Sequence, residues 1–335
     1  EKMQAHGIEF SPMDPSEIYE KLNASGQISL WSKRFLDCLK AIRTERLDKA
    51  SLLQRLQNSK IMKAKLWADV LDDLLSAYVL EFKTQDSIDF DDMILSAIEA
   101  LQTGKFVPSW SYILVDEFQD ISEARMDLIK ALIDQAAAPS LTVVGDDWQS
   151  IYEFAGSDVD LTTGFTERFP RSTVHNLDTT YRFNNQIGEV ANRFVQQNPA
   201  QIEKTLKSHK EQKAKAVTLA PSANVEKILD DLNRKAKSTM SVLLLGRNHY
   251  HKPELLSDWQ KRLGVLSIEF MTCHASKGKE ADFVIILSVD EGQFPARVKT
   301  LHLDNVLTQS GDSYPHAEER RLFYVAMTRA KKKVW

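Results

Sequence analysis

At 335 residues the chain is long enough for two or three domains. Its 43% hydrophobic and 27% charged residues suit a soluble globular protein, no apolar run approaches the roughly 18 residues of a membrane span, and the amino-terminal Glu1-Lys2-Met3-Gln4 has no apolar signal-peptide core. A net charge of −4 speaks against coating nucleic acid through bulk positive charge, and two cysteines, Cys38 and Cys273, are too few for a disulfide framework or a zinc site, which points to a reducing cytoplasm. Residues 1–87 read as an all-helical subdomain. Asp14-Pro15-Ser16-Glu17 fits an N-cap with Pro at N1 and an acid at N3. Phe35, Leu36, Leu39 and Ile42, and then Leu66, Trp67, Val70, Leu71, Leu74, Leu75 and Tyr78, recur at helical spacing.

From Ile88 the texture changes. Ile88-Asp89-Phe90-Asp91-Asp92-Met93 opens a helix with carboxylates in its first turn, where the macrodipole favours them. Strand Tyr112–Val115, a helix near Glu123–Ile133 and strand Leu141–Val144 follow, which is βαβ order and implies a parallel sheet. A second α/β region is expected beyond. It has strands at Val174–Leu177, Val242–Leu245, Ile268–Met271 and Phe283–Val289, with helices at Asn185–Gln197 and Glu318–Ala330. A last strand starts at Lys332-Lys333-Val334-Trp335, and the polar, Lys-rich Gln201–Lys215 reads as a surface connection.

Two apolar strands release carboxylates at their ends. Tyr112-Ile113-Leu114-Val115 runs into Asp116-Glu117-Phe118-Gln119-Asp120, and Leu141-Thr142-Val143-Val144 runs into Gly145-Asp146-Asp147-Trp148-Gln149-Ser150. Phosphoryl transfer needs a carboxylate for Mg²⁺ and a group that orients or deprotonates water, roles that suit Asp116 and Glu117. An acidic turn after a strand is the plainer alternative. Gln149 is a neutral amide able to bond a γ-phosphate. Trp148, Tyr152 and Phe154 are either core residues or flat surfaces for bases, where stacking contributes ~1–3 kcal/mol per base. A local basic and aromatic groove is compatible with the net charge. No stretch satisfies the phosphate-binding loop G-x-x-x-x-G-K-[ST]. Gly104-Lys105 is followed by Phe106 with Glu99 at the first glycine's place, and Gly278-Lys279 by Glu280 with Cys273 there. The expectation is that the phosphate cradle lies outside these residues.

Asp116-Glu117-Phe118-Gln119-Asp120 and Gly145-Asp146-Asp147-Trp148-Gln149-Ser150-Ile151-Tyr152 resemble motifs II and III of UvrD/Rep-type superfamily 1 DNA helicases. Leu177-Asp178-Thr179-Thr180-Tyr181-Arg182-Phe183 resembles motif IV, Thr272-Cys273-His274-Ala275-Ser276-Lys277-Gly278-Lys279-Glu280 motif V, and Glu318-Glu319-Arg320-Arg321-Leu322-Phe323-Tyr324-Val325-Ala326-Met327-Thr328-Arg329-Ala330 motif VI. The wording of motifs III and IV is nearest the bacterial helicase IV branch. The resemblance runs from about Ile88 to the end of the chain.

It implies an α/β fold of two RecA-like parallel-sheet domains, the first incomplete, behind the helical subdomain. A 1B-like part would occupy 1–87, the latter part of a 1A-like domain 88–176, and a 2A-like domain 177–335. The interval from Tyr181 to Thr272 is too short for a large 2B insertion. The implied cofactors are ATP and Mg²⁺. Asp116 binds the metal, Glu117 activates water, and Gln149 senses the γ-phosphate. Tyr181 stacks on adenine, Glu280 bonds the ribose, and Gly278 belongs to the same nucleotide site. Arg182 and Arg329 reach the γ-phosphate, a contribution on the order of 10³–10⁵ in rate; without the resemblance Arg329 reads as a solvated helix residue. Thr272 and His274 face single-stranded DNA, with Tyr152, Phe154 and Phe90 nearby. The family often has Trp-Arg where this chain has Phe154-Ala155. The implied activity is ATP-driven 3′→5′ movement on single-stranded DNA and at duplex junctions, with a monomer favoured, and with this stretch alone hydrolysing ATP poorly or not at all. A non-catalytic single-strand-binding or partner-docking module, and the motor part of a helicase–nuclease, are the alternatives.

Overall fold

The structure is a computed structural model that describes residues 14–136, 139–297, 303–307 and 314–335; the amino-terminal Glu1-Lys2-Met3-Gln4 lies outside them. Among the described residues no helix is long and apolar enough to cross a membrane. The backbone divides into two compact units, one made of the described residues within Glu1–Val144, Phe154–Leu161 and Lys299–Ser310, the other of those within Gly145–Glu153, Thr162–Val298 and Gly311–Trp335.

The first unit opens with helices α1 (Pro15–Ala24), α2 (Gln27–Thr44), α3 (Lys49–Asn58), α4 (Ala64–Thr84) and α5 (Phe90–Gln102). Side chains that satisfy orphan amides start several of them. Asp14 accepts from Ser16 N at 2.7 Å, Asp48 accepts from Ser51 N at 2.8 Å, and Asp89 and Asp92 form a reciprocal capping box on α5. Cys38, Ile42, Leu52, Leu56, Ala68 and Leu71 make one apolar core, joined by Val306 and Leu307 of the short helix Leu303–Leu307. The buried Arg43 pairs with both capping-box carboxylates, and Tyr78 donates to Asp89 at 2.9 Å, which ties α5 to α2 and α4. Gly156, at φ +86°, runs so close to α2 that a Cβ would sit 2.3 Å from Thr44 Cγ2.

Strands β1 (Tyr112–Val115) and β2 (Ser140–Val143) pair in parallel, Tyr112 opposite Ser140 and Val115 opposite Val143, with α6 (Glu123–Gln135) between them in sequence. Tyr112 and Leu114 are 77% and 76% exposed, so one face of this two-stranded sheet stands open.

The second unit holds β3 (Thr179–Asn184), α7 (Asn185–Val195), β4 (Lys207–Lys210), α8 (Val225–Lys235), β5 (Met240–Gly246), α9 (Leu256–Arg262), β6 (Leu266–Thr272), β7 (Ala281–Ile286), α10 (Ala317–Met327) and β8 (Ala330–Val334). Strands β6, β5, β7 and β8 form a parallel sheet in that order. Its centre is apolar on both faces, as expected where helices cover both sides of a parallel sheet. Val242 and Leu244 of β5 pack with Leu229 of α8 and Leu256 and Trp259 of α9, while Leu243 and Leu245 pack with Ile187 and Ala191 of α7 and Leu322 and Val325 of α10. Strands β3 and β4 form a separate parallel pair. Buried Asn184 fastens it, donating to Lys331 O and Lys332 O at 3.2 and 3.0 Å while capping α7 through Ile187 N.

The parallel α/β class and the early helices match the sequence reading, but two assignments change. Val174–Leu177 is not a strand; Val174 and Leu177 are 65% and 84% exposed, and pairing begins at Thr179. The partner is β4, whose Lys-Ser-His-Lys sequence has no apolar alternation and lies inside the stretch read as a surface connection. Helices α8 and α9 were also not assigned. The helical core yields a stability prediction. Leu71 is fully buried, so Leu71→Ala should cost ~2–5 kcal/mol, whereas Leu80→Ala at an exposed position of the same helix should stay within about 0.5 kcal/mol; chemical denaturation of the two variants measures the difference.

Candidate active site

In the first unit, β1 delivers its carboxylates through a pinned turn. Val144 N donates to Val115 O at 2.8 Å and Phe118 N to Val144 O at 2.9 Å, so the exits of β1 and β2 are locked together. Glu117 sits between at φ 51°, a left-handed conformation that a non-glycine residue adopts at a cost of about 1–3 kcal/mol. Asp116 Oδ1 accepts from Glu117 N at 2.9 Å, and Glu117 Oε2 accepts from the buried Gln119 at 2.5 Å. Buried Phe118 anchors the turn, while both acids remain exposed. Among the described residues no group of three or more His, Cys, Asp or Glu side chains could hold a metal. A single exposed carboxylate fits Mg²⁺, which keeps several waters and takes one or two protein oxygens beside those of a phosphate.

In the second unit, Gln149 and Arg329 meet. Arg329 is 1% exposed, and its guanidinium donates to Val325 O (2.8 Å), Thr328 Oγ1 (3.2 Å), Lys279 O (3.5 Å) and Gln149 Oε1 (3.3 Å). The solvated-helix alternative for Arg329 is therefore wrong, because the residue lies at the turn from α10 into β8 and faces inward. The amide nitrogen of Gln149 donates to Asp146 Oδ2 at 2.7 Å. Trp148 is a core residue, fully buried edge-on against Tyr324 with ring centroids 5.5 Å apart, and it donates from Nε1 to Ile202 O at 3.1 Å.

A second cluster sits at β3. The exposed Tyr181 ring lies 4.8 Å from the His209 ring of β4, the two tilted by 39°. Arg182 Nε is 3.8 Å from Glu280 Oε2. Glu280 also pairs with Lys331, and that hydrogen bond, helped by the charges of Lys331 and Arg182, holds its carboxyl below the usual range. Gly278 has φ +77° with open space where a Cβ would stand, so backbone conformation and not crowding calls for glycine there.

Thr272 ends β6, and the turn after it carries His274, whose ring lies 6.4 Å from that of Tyr152. Lys277 Nζ sits 5.1 Å above the Tyr152 ring and donates to Gln149 O at 3.0 Å. Burial, reinforced by the Arg247 charge, pushes the His274 imidazole down to about 4. Thr272, His274 and Tyr152 are thus gathered in one unit. Phe154 and Phe90 belong to the other, both exposed, Phe90 at the first position of α5.

Three participants were missed in the sequence. Asp146 and Asp147 share the ammonium of Lys204, at 2.5 and 2.6 Å. Lys277 links the Gln149 backbone to the turn after β6. Glu318 accepts from Glu153 N at 3.1 Å and is pushed up to about 7 by burial and by the Glu153 charge. Adjacent acids beside Gln149 were a readable sign that a cation must be supplied from elsewhere; nothing in the sequence singled out Lys204 as that cation.

Two family models match most of the chain. The UvrD/REP helicase N-terminal domain matches residues 10–170, and the UvrD-like helicase C-terminal domain matches residues 252–335. The chain is 46% identical over 264 residues to DNA helicase IV of Escherichia coli, covering 78% of this chain and 39% of that protein. It is 30% identical over 276 residues to a probable DNA helicase of Mycoplasma pneumoniae (77% and 50%), and 36% identical over 134 residues to ATP-dependent DNA helicase Rep of Escherichia coli (38% and 20%). The chain thus spans half or less of the length of these relatives. Motifs, parallel-sheet architecture and both domain matches place the chain in the UvrD/REP helicase family.

Proposed function

We propose that this chain is the body of an ATP-driven motor that moves 3′→5′ along single-stranded DNA and opens duplex junctions, acting as a monomer in the cytoplasm. The observation that carries the reading is the direct hydrogen bond between Gln149 and the buried Arg329. An amide that senses a γ-phosphate and a guanidinium that stabilises its developing charge are linked, so a change at one is felt at the other. The domain reading keeps its sequence boundaries: a 1B-like part over 1–87, a 1A-like part over 88–176 and a 2A-like part over 177–335.

The roles divide by chemistry. Asp116 would hold Mg²⁺, which supplies charge neutralisation on the phosphates when bound. Glu117 orients and deprotonates the attacking water, a role its exposed carboxylate and strained backbone suit. Tyr181 stacks on adenine, with His209 behind it, and Glu280 accepts from the ribose. Gly278 lets the backbone turn beside them, and Arg182 and Arg329 act on the γ-phosphate. Thr272, His274 and Tyr152, with Phe154 and Phe90, contact the strand. The names of the curated relatives, DNA helicases and ATP-dependent DNA helicases, support this reading.

A non-catalytic single-strand-binding or partner-docking module is the second reading. ATP hydrolysis by the full-length protein, with and without single-stranded DNA, separates the two. The motor reading expects stimulation by DNA and a loss of about 10²-fold or more for Glu117→Gln; turnover indifferent to DNA would leave the binding module ahead. The 335-residue chain alone should hydrolyse ATP poorly, and robust turnover abolished by Glu117→Gln would contradict that. A further expectation concerns pH. His274 stays neutral down to about 4, so its protonation adds nothing to DNA affinity between about pH 6 and pH 8. Fluorescence-anisotropy titrations of wild type and His274→Gln should give parallel pH profiles, and an acid-side rise seen only in wild type would refute a neutral His274.

A further inference from the structure

Lys204 lies in the polar stretch before β4, outside every recognised motif, yet it contacts the loop that carries Gln149. Its ammonium is held between Asp146 Oδ1 at 2.5 Å and Asp147 Oδ1 at 2.6 Å, 4.7 Å above the Trp148 ring. Burial opposes its charge, but the two carboxylates together keep the ammonium above its ordinary range. Asp147 is itself buried, with Oδ2 fixed by Ile202 N at 2.8 Å and Gln201 Nε2 at 3.0 Å. The backbone of Lys204 is anchored in turn, its carbonyl accepting from Gln196 beyond the end of α7 at 2.6 Å.

The geometry of Asp146 shows what this anchoring does. Its two oxygens face different partners. Oδ1 takes Lys204 and the Trp148 amide (3.2 Å), and Oδ2 takes the side-chain amide of Gln149 (2.7 Å). A carboxylate held at one oxygen by an ammonium and a backbone N–H cannot rotate freely, so its second oxygen is presented to Gln149 in one orientation. Gln149 then has its nitrogen fixed and its oxygen directed to Arg329. We infer that Lys204 is a positioning residue for ATP turnover, holding Asp146 so that the Gln149 amide is oriented for the γ-phosphate and for Arg329. The inference rests on the proposed role of Gln149. It adds to it a residue outside the recognised motifs.

The test uses the full-length protein with three sequences: wild type, Lys204→Met, and the double variant Asp147→Asn/Lys204→Met. The double variant removes the buried carboxylate that Lys204→Met would leave without its cation, so it preserves folding while Asp146 still lacks its ammonium. Steady-state ATP hydrolysis at saturating single-stranded DNA should show kcat lowered about tenfold in both variants, with KM for ATP within about threefold of wild type. Amide hydrogen exchange without nucleotide should be faster in both variants at Trp148 and Gln149, whose N–H groups bond Asp146. A kcat that recovers in the double variant together with its melting temperature would assign Lys204 to folding alone and overturn the inference. So would an unchanged kcat in Lys204→Met, or failure of both variants to fold. Wild-type protein that hydrolyses ATP without any response to DNA would overturn the motor reading and this inference with it, whereas DNA-stimulated wild type with unaffected variants sinks the inference only.

Discussion

A buried guanidinium must find acceptors inside the protein, because leaving its donors unpaired costs several kcal/mol. Arg329 meets that demand with oxygens from three segments: the preceding helix α10 with its C-cap Thr328, the turn that contains Lys279, and the loop that carries Gln149. Arg321 of α10, almost equally buried, also bonds this loop, donating to Ser150 O at 2.6 Å. Trp148 fills the space against Tyr324. The loop Gly145–Glu153 is therefore part of the second unit's interior although the strand that feeds it, β2, belongs to the first unit.

The first unit solves a different problem. Its carboxylates have to be exposed and yet fixed, and the left-handed backbone at Glu117 followed by buried Phe118 and Gln119 achieves both. The strain at Glu117 is offset by the hydrogen bonds that lock the exits of β1 and β2. The open face of that sheet, with Tyr112 and Leu114 exposed, contrasts with β5, where every residue from Val242 to Leu245 is buried. Parallel strands are stable when covered on both sides, and only the second unit's sheet meets that condition among the described residues.

Much of the architecture was legible in the residues. Tyr112–Val115 was placed at its true bounds, because a four-residue apolar run flanked by turn signals and followed by acids has few other readings. Helix α7 was legible from Ile187, Val190, Ala191, Phe194 and Val195 on one face; Ile187, Ala191 and Val195 are buried, and Val190 and Phe194 are half-buried against the same core. The misses share a cause. Strand β4 reads Lys-Ser-His-Lys and packs no apolar face, so periodicity could not find it. The strand assigned to Val174–Leu177 was drawn there by two apolar residues that lie in solvent.

The same division holds at the site. By itself the sequence determined the chemical types and their order, acids after β1, an amide after β2, one arginine in β3 and another just past α10, because covalent spacing and strand ends dictate where such groups emerge. Only tertiary structure decided which of them touch. Arg329 turns inward to Gln149, Lys204 reaches back more than fifty residues in sequence to neutralise Asp146 and Asp147, and His209 backs Tyr181. Such pairings arise from long-range closure of the chain around a packed interior, and no local pattern of residues encodes a partner that distant.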